Sequence, residues 1–334
     1  MSGSIANWAL SGLAILIIGA ALGPRIASAG PTFFLQILTY GFSDGAIYAL
    51  VAIGYTMVYG IIELINFAHG DVFTLGAAVS IPVLGAFGLA EGKALGVLSV
   101  VALLAVFVIT MVLVGALNMA IERIAYRPLR NAPRLAPLIT AVGVSFILEG
   151  IMALWIGNST VHYPDLLPST RYSLGGGASF GFKDIFVVVV AVVLVAALTA
   201  FIGRTTLGTA MRATAQDREA AQLMGIDINR TIAATFFIGA ALAGAGGIVF
   251  GLYYNSINFQ LGFSAGLFAF TAAVLGGIGN IQGAALGGLI IGLVRAFSDG
   301  YLASEWTDVW IFAMLILVLV FRPTGLLGMR VPEK

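Results

Sequence analysis

Long apolar runs separated by short charged connectors dominate the chain. Residues 1–24, 45–62, 72–90 and 94–121 contain no Asp, Glu, Lys or Arg. Residues 135–157 hold Glu149 alone, and residues 185–203 and 231–294 are again free of such residues. A last apolar run covers residues 306–321. About 20 apolar residues cross the hydrocarbon core of a bilayer, so each run predicts a membrane helix. The run 231–294 is too long for one crossing, and GGIGNIQG at 276–283 divides its second half into two short pieces. The pattern predicts an all-α integral membrane protein of about 8–10 transmembrane helices, some short or broken. One membrane domain covers residues 1–334.

Against this background residues 204–230, RTTLGTAMRATAQDREAAQLMGIDINR, form a polar island. From Ala210 to Met224 the residues are good helix formers without Gly or Pro, which predicts one short helix. Ala210, Ala213, Ala220, Ala221 and Met224 fall mostly on one side, with Arg212, Gln216 and Glu219 along another. Gly225 supplies a left-handed stop. A connector lying on lipid headgroups would present a bulky apolar face; a face of small Ala side chains instead suits close approach of a protein partner.

Composition narrows the class. The chain is 60% hydrophobic and 9% charged, with mean hydropathy +1.05, whereas soluble domains average about 25% charged residues. The net charge of +1 comes with no basic patch for nucleic acid. Cys is absent, which excludes disulfides and thiolate sites. The 43 Gly suit close helix packing in lipid.

Orientation follows the Lys and Arg distribution. Arg123, Arg127, Arg130, Arg134, Arg204, Arg212, Arg218, Arg230, Arg322, Arg330 and Lys334 are placed inside, and Arg25, Lys93, Arg171, Lys183 and Arg295 outside. Residues 204–230 are then a cytoplasmic loop and residues 158–184 an external one. Residues 1–29 read as a first span or as a signal segment ending at Ala27-Ser28-Ala29, although the apolar run 1–24 is not preceded by the Lys or Arg that a signal n-region usually has.

The tripeptide Ile65-Asn66-Phe67 recurs 192 residues later as Ile257-Asn258-Phe259. Each follows a Gly-rich run ending in Tyr, one near the inner side and one near the outer. This arrangement predicts an inverted-topology repeat with a path between the halves.

Several polar residues break the apolar pattern. Glu149 reads either as an acid lining a path or as a packing hydrogen bonder. Asp44, Glu63, Asn66, His69 and Asp71 group around the second span, where Asn66 to Asp71 read as a broken or re-entrant helix end. The two His form no metal pair, and no Walker lysine or GxGxxG fingerprint is present. No cofactor and no catalytic constellation are expected.

Glu219-Ala220-Ala221, three further residues and Gly225 resemble the cytoplasmic "EAA…G" coupling motif of ABC importer permeases. YGIIELINFAHGDVFTLGA at 59–77, GGIGNIQGAALGG at 276–288 and FRPTGLLG at 321–328 are similar to segments of the branched-chain amino acid permeases, in the pattern of their LivH-type subunit. The resemblance extends from about residue 33 to residue 328. It implies a bacterial inner-membrane permease working with a LivM-like second subunit or a second copy, two cytoplasmic ATPases and a periplasmic binding protein. It assigns ATPase coupling to Arg212, Asp217, Glu219, Ala220, Ala221 and Gly225, and no ATP site to this chain. A zwitterion crossing apolar walls needs polar groups, and Asn66, His69, Glu149 and Asn258 are the candidates for the path. Urea and short-amide permeases share much of the pattern, with Met often standing where this chain has Phe67. An ion-coupled secondary transporter using Glu149 and His69 is the alternative of a different class.

Overall fold

A computed structural model of the chain describes residues 2–62, 66–89, 96–130, 132–133, 135–175 and 177–328. Glu63, Ile65, Lys93, Arg134, Arg330 and Lys334 lie outside these residues. The apolar runs become helices: α1 (Ser2–Ile62), α2 (Ala68–Ala86), α3 (Val97–Ile121), α4 (Leu135–Ile156) and α5 (Phe182–Arg204). The island forms α6 (Thr206–Gln216) and α7 (Arg218–Leu223). The chain continues as α8 (Ile228–Tyr254), α9 (Leu261–Gly276), α10 (Ile281–Tyr301) and α11 (Thr307–Phe321). Among the described residues eight helices are long and apolar enough to cross a membrane, and α9 is apolar but shorter. The protein is an all-α, multi-pass membrane protein.

The long run 231–294 resolves into α8, α9 and most of α10, with breaks at Asn255 and at Gly277. Asn255 ends α8 in the left-handed region, and Gly277 has φ of 108°. The final piece is longer than its charge-free portion, because α10 carries Arg295 and Asp299 within it. The spans expected at 1–24 and 45–62 belong to one long helix, α1, interrupted at Gly30 (φ 80°, ψ 165°).

The short strands lie in the connectors. β1 (Val161–His162) pairs with β4 (Ser256–Ile257), and β2 (Arg171–Gly175) with β3 (Ala178–Gly181) in a hairpin. The 23 residues of α5 span about 35 Å at 1.5 Å per residue. That length sets the hairpin and the α6–α7 island at opposite ends of the molecule. The β1–β4 ladder places the α8–α9 connector at the hairpin end. Arg130 donates to Asn229 Oδ1 (2.8 Å), and Arg218 donates to the Ile61 carbonyl (3.0 Å from Nε), so the end of α3 and the end of α1 lie at the island end. Arg123, Arg127 and Arg130 at the end of α3 therefore share one end of the molecule with the basic residues of the island.

Helix pairs meet through small residues. α1 and α10 run antiparallel, and a Cβ on Gly292 would lie 2.1 Å from the Gly45 nitrogen, one on Gly288 2.4 Å from the Ala49 Cα. α1 and α8 are also antiparallel: Gly239 faces Gly54, while the Tyr254 hydroxyl donates to Asp44. α3 packs on α8 as α10 packs on α1, and α2 packs on α8 as α9 packs on α1. This pairing is an inverted repeat relating α1, α2 and α3 to α8, α9 and α10. Its centre is visible at Gly70 and Gly262, the same 192 residues apart as the recurring tripeptide. A Cβ on Gly70 would lie 2.2 Å from the Gly262 carbonyl oxygen, and one on Gly262 2.8 Å from that of Gly70.

Two substitutions test this packing. Gly70→Ala forces backbone to move at the repeat centre, since no flexible side chain can yield there. Overpacking of this kind costs about 1–3 kcal/mol, so thermal unfolding of the purified protein should shift down, whereas Gly143→Ala, which faces open space, should leave it unchanged. At the hairpin end Lys183 lies 2.9 Å from Asp165. Partial burial pushes the Asp165 carboxyl up, but the Lys183 hydrogen bond and charge outweigh it and hold the carboxyl below its usual range. A depressed carboxylate stabilises the fold above its unfolded value of about 3.9 and ceases to do so as pH falls through the folded value. The stability gap between the protein and Lys183→Met should therefore narrow as pH drops from about 5 towards 3, read as melting temperatures in detergent.

Candidate functional site

Three groups of polar residues stand out from the apolar body. The first surrounds the start of α2. This helix does not begin where α1 ends. His69 packs edge-on against Tyr55 (ring centroids 4.7 Å apart), and Tyr55 lies about 10 Å back from Ile62 along α1 at 1.5 Å per residue. The chain therefore re-enters beside α1, as the Asn66–Asp71 pattern predicts. The second connector behaves alike: after β4 the chain turns back, and α9 meets α2 at Gly262.

Side chains from two other segments converge on the first re-entrant turn. The Tyr126 hydroxyl donates to Asn66 Oδ1 (2.9 Å), and Ser145 donates to Asp71 Oδ2. Tyr126 closes a π-helical turn, Glu122–Tyr126, at the end of α3, a geometry frequent at functional sites. Asp71 sits in the first turn of α2, where the unpaired amide hydrogens favour negative charge. Glu149, one helical turn beyond Ser145 on α4 and half-buried, is close enough for its charge to act on Asp71. It makes no hydrogen bond or ion pair among the described residues. Both imidazole nitrogens of His69, Asn66 Nδ2 and Asp71 Oδ1 are buried without hydrogen-bond partners among the described residues. Such groups cost about 1–3 kcal/mol each when unsatisfied, a cost that favours polar company from elsewhere.

The structure thus gathers Asn66, His69 and Glu149 around Asp71 but keeps Asn258 apart. Asn258 lies in the α8–α9 connector beyond Gly262, half-buried with its Oδ1 unpartnered. The two repeat asparagines flank the Gly70–Gly262 contact from opposite ends. Asp44 does not join this group as expected: it lies near the hairpin end, in an ion pair with Arg295 (3.4 Å).

That ion pair belongs to the second group, a cavity of about 720 Å³ bounded by α1, α8, α10 and the β2–β3 hairpin. Asp44, Asp184 and Asp299 line it with Arg171, Lys183 and three tyrosines. Arg295, which the charge count puts outside, lies within α10 and donates to the Tyr48 hydroxyl on α1. Sequence reasoning missed this network; the only signal was Arg295 and Asp299 at helical spacing directly after the charge-free run. Opposite it, at the island end, the crevice below Asn66 is closed to about 20 Å³ between Val58, Tyr126, Arg130, Ala141 and Phe236.

The third group is the island. The single helix expected over 210–224 is two helices, because Asp217 is extended (φ −156°, ψ 113°). Its carboxylate accepts from the Glu219 and Ala220 amides at 2.9 and 3.0 Å. This N-cap satisfies backbone donors that a continuous helix would otherwise have to pair. Ala221 is buried and anchors α7, while Arg212 turns back to the Ile202 carbonyl and Thr209. Glu219, Ala220 and Gly225 are exposed. The expectation of a mostly Ala face is corrected as well: Leu223 and Met224 are 88% and 84% exposed, so the presented edge is bulky and apolar, and small side chains no longer distinguish a protein partner from lipid headgroups. Gly225 has φ of 85° and closes α7 through its amide to the Gln222 carbonyl.

A model of the family described as "Branched-chain amino acid transport system / permease component" matches residues 37–319. The chain is 46% identical over 305 residues to the high-affinity branched-chain amino acid transport system permease protein LivH of Escherichia coli (strain K12), covering 90% of this chain and 98% of that protein. It is 44% identical over 307 residues to the permease protein BraD of Pseudomonas aeruginosa, with the same coverage. A more distant similarity, 28% over 190 residues, links it to the autoinducer 2 import system permease protein LsrC of Enterobacter sp., over 55% of this chain and 54% of that one. No solved structure matches. With the matched region running from the middle of α1 to the end of α11, the chain belongs to the family of branched-chain amino acid transport system permease components.

Proposed function

We propose that the chain is the permease subunit of an ATP-driven importer in a bacterial inner membrane, carrying branched-chain and other hydrophobic amino acids. In this reading the island end faces the cytoplasm, as its basic residues require, and the hairpin end receives cargo from a periplasmic binding protein. A second permease subunit, LivM-like or another copy, completes the path, and two ATPases dock on the cytoplasmic side. The subunit itself catalyses no reaction.

The observation that carries this reading is the mounting of α7. Its outer edge offers Glu219, Ala220, Leu223 and Met224 to a partner, and its inner edge is fastened to the membrane body. Buried Ala221 holds one side, and Arg218 grips the Ile61 carbonyl with Nε and a terminal nitrogen. Ile61 lies at the last turn of α1, five residues before Asn66. A displacement imposed on α7 is thereby delivered to the end of α1 and to the re-entrant turn holding Asn66, His69 and Asp71. The hairpin-end cavity, about 720 Å³, is far roomier than the crevice of about 20 Å³ beside Asn66, which fits cargo entering at the hairpin end in this reading.

Uptake of labelled leucine, with the cognate binding protein present, tests the assignment. Glu219→Lys reverses the exposed charge. Gly225→Asp forces a side chain into a left-handed conformation that costs about 1–2 kcal/mol. Each should cut ATP-dependent uptake about ten-fold or more, the effect of about 1.4 kcal/mol of lost coupling, while the protein remains in the membrane at normal levels. Uptake that survives both variants refutes coupling through α7. Valine should compete with leucine, and urea and acetamide should not; competition by urea would assign the cargo to short amides instead.

A further inference from the structure

The hairpin-end cavity has a charge pattern that internal pairing does not explain. Of its acids, Asp44 and Asp299 share Arg295 at 3.4 and 3.7 Å. Asp44 also accepts from Tyr254, and Asp299 accepts from Thr307 at 2.6 Å. Of its cations, Lys183 is committed to Asp165 at 2.9 Å and to Asn255. Two lining charges remain. Arg171 forms no hydrogen bond or ion pair through its guanidinium among the described residues. Asp184 accepts hydrogen bonds from Ser43 and Tyr253, both at 2.8 Å, and from the Gly181 amide at 2.7 Å, but meets no cation among the described residues.

These two charges line the same cavity and form no ion pair with each other among the described residues. Arg171 stands opposite Gly181 in the hairpin register, and Gly181 is held to Asp184 through its amide. Asp184 is fixed by three neutral donors and Arg171 is exposed, so among the described residues an anion and a cation line one cavity without being paired to each other. Tyr40, Tyr253 and Tyr254 supply aromatic faces, and Phe33, Ile37 and Phe182 an apolar wall. The volume falls in the range of small-molecule sites, about 300–1,000 Å³.

We propose that this cavity is a binding site for the zwitterion of an apolar α-amino acid, with its carboxylate on Arg171, its ammonium on Asp184 and its side chain against Phe33, Ile37 and Phe182. The planar guanidinium matches a carboxylate through two parallel hydrogen bonds, and the tyrosine faces add attraction for the ammonium. The proposal deepens the amino-acid reading of the previous section and rests on it. The site is an entry station at the hairpin end, separate from the Asn66–Asp71 turn deeper in the protein.

Photo-leucine, a diazirine analogue of leucine, tests it in the complete transporter held in membranes, with adducts mapped by mass spectrometry. Adducts are expected on peptides carrying residues 168–184, 253–254 and 296–300. Leucine and valine should suppress them. 4-Methylpentanoate, which lacks the ammonium, and 3-methylbutylamine, which lacks the carboxylate, should not at the same concentration. Arg171→Ala and Asp184→Asn should each reduce labelling about ten-fold, and Arg171→Lys, which keeps the charge without the fork, should reduce it less. Adducts elsewhere, adducts that leucine does not suppress, or labelling unchanged in Arg171→Ala would overturn the site. So would an Arg171→Ala variant whose defect is confined to binding-protein affinity, because Arg171 would then be a docking contact. Leucine uptake by the unmodified transporter, measured in parallel, separates the two readings: uptake without cavity labelling sinks this site alone, and absence of uptake sinks the amino-acid reading beneath it.

Discussion

The architecture depends on backbones coming into contact where ordinary side chains would hold them apart. In lipid no hydrophobic driving force presses one helix onto another, so association relies on close packing and on polar contacts. Here the contacts run along α1 and α10 at Gly45, Gly288 and Gly292 and meet at the centre of the repeat at Gly70 and Gly262. Everything polar is arranged around these seams. The antiparallel course of α1 beside α8 and α10 brings Asp44 to Arg295 and Tyr254 near one end and leaves the Ile61 carbonyl free for Arg218 at the other.

The repeat explains why two short helices begin inside the protein rather than at its surface. α2 and α9 occupy equivalent places, each entered by a chain that turns back beside the helix before it. Their surroundings have diverged. The first turn carries the buried, partly unsatisfied set Asn66, His69 and Asp71, watched over by Tyr126 and Ser145. The second carries Asn258 and is covered by the ordered connector at the hairpin end. A symmetric scaffold therefore holds two unlike sites, with α7 attached to only one of them.

Much of this was legible from the order of residues, and the limits have physical causes. The span pattern and the charge asymmetry survive because lipid tolerates few unpaired charges, so polarity marks position along the membrane normal. The island was legible for the same reason. Its break at Asp217 was not, since good helix formers on both sides mask a cap whose value appears only once its carboxylate reaches two amides. The pairing of Arg295 was not legible because its partner Asp44 lies 251 positions earlier in the chain, and only folding shows that a charge inside a helix has been neutralised. Glu149 was visible as an acid within a span, whereas its nearness to Asp71 required α4 to dock against α2.

The two-residue ladder between β1 and β4 has a mechanical meaning. It welds the α4–α5 connector to the one from which α9 departs, and Tyr163 strengthens the weld by donating its amide to the Asn255 carbonyl and sharing a hydrogen bond with Ser80 on α2. The loop is consequently a handle rather than a flap. Any body that grips it pulls at once on the starting point of α9 and on α2, the two elements that meet at Gly70 and Gly262. Force applied at either end of the molecule arrives at the same central contact, from the island through α1 and from the hairpin end through this ladder.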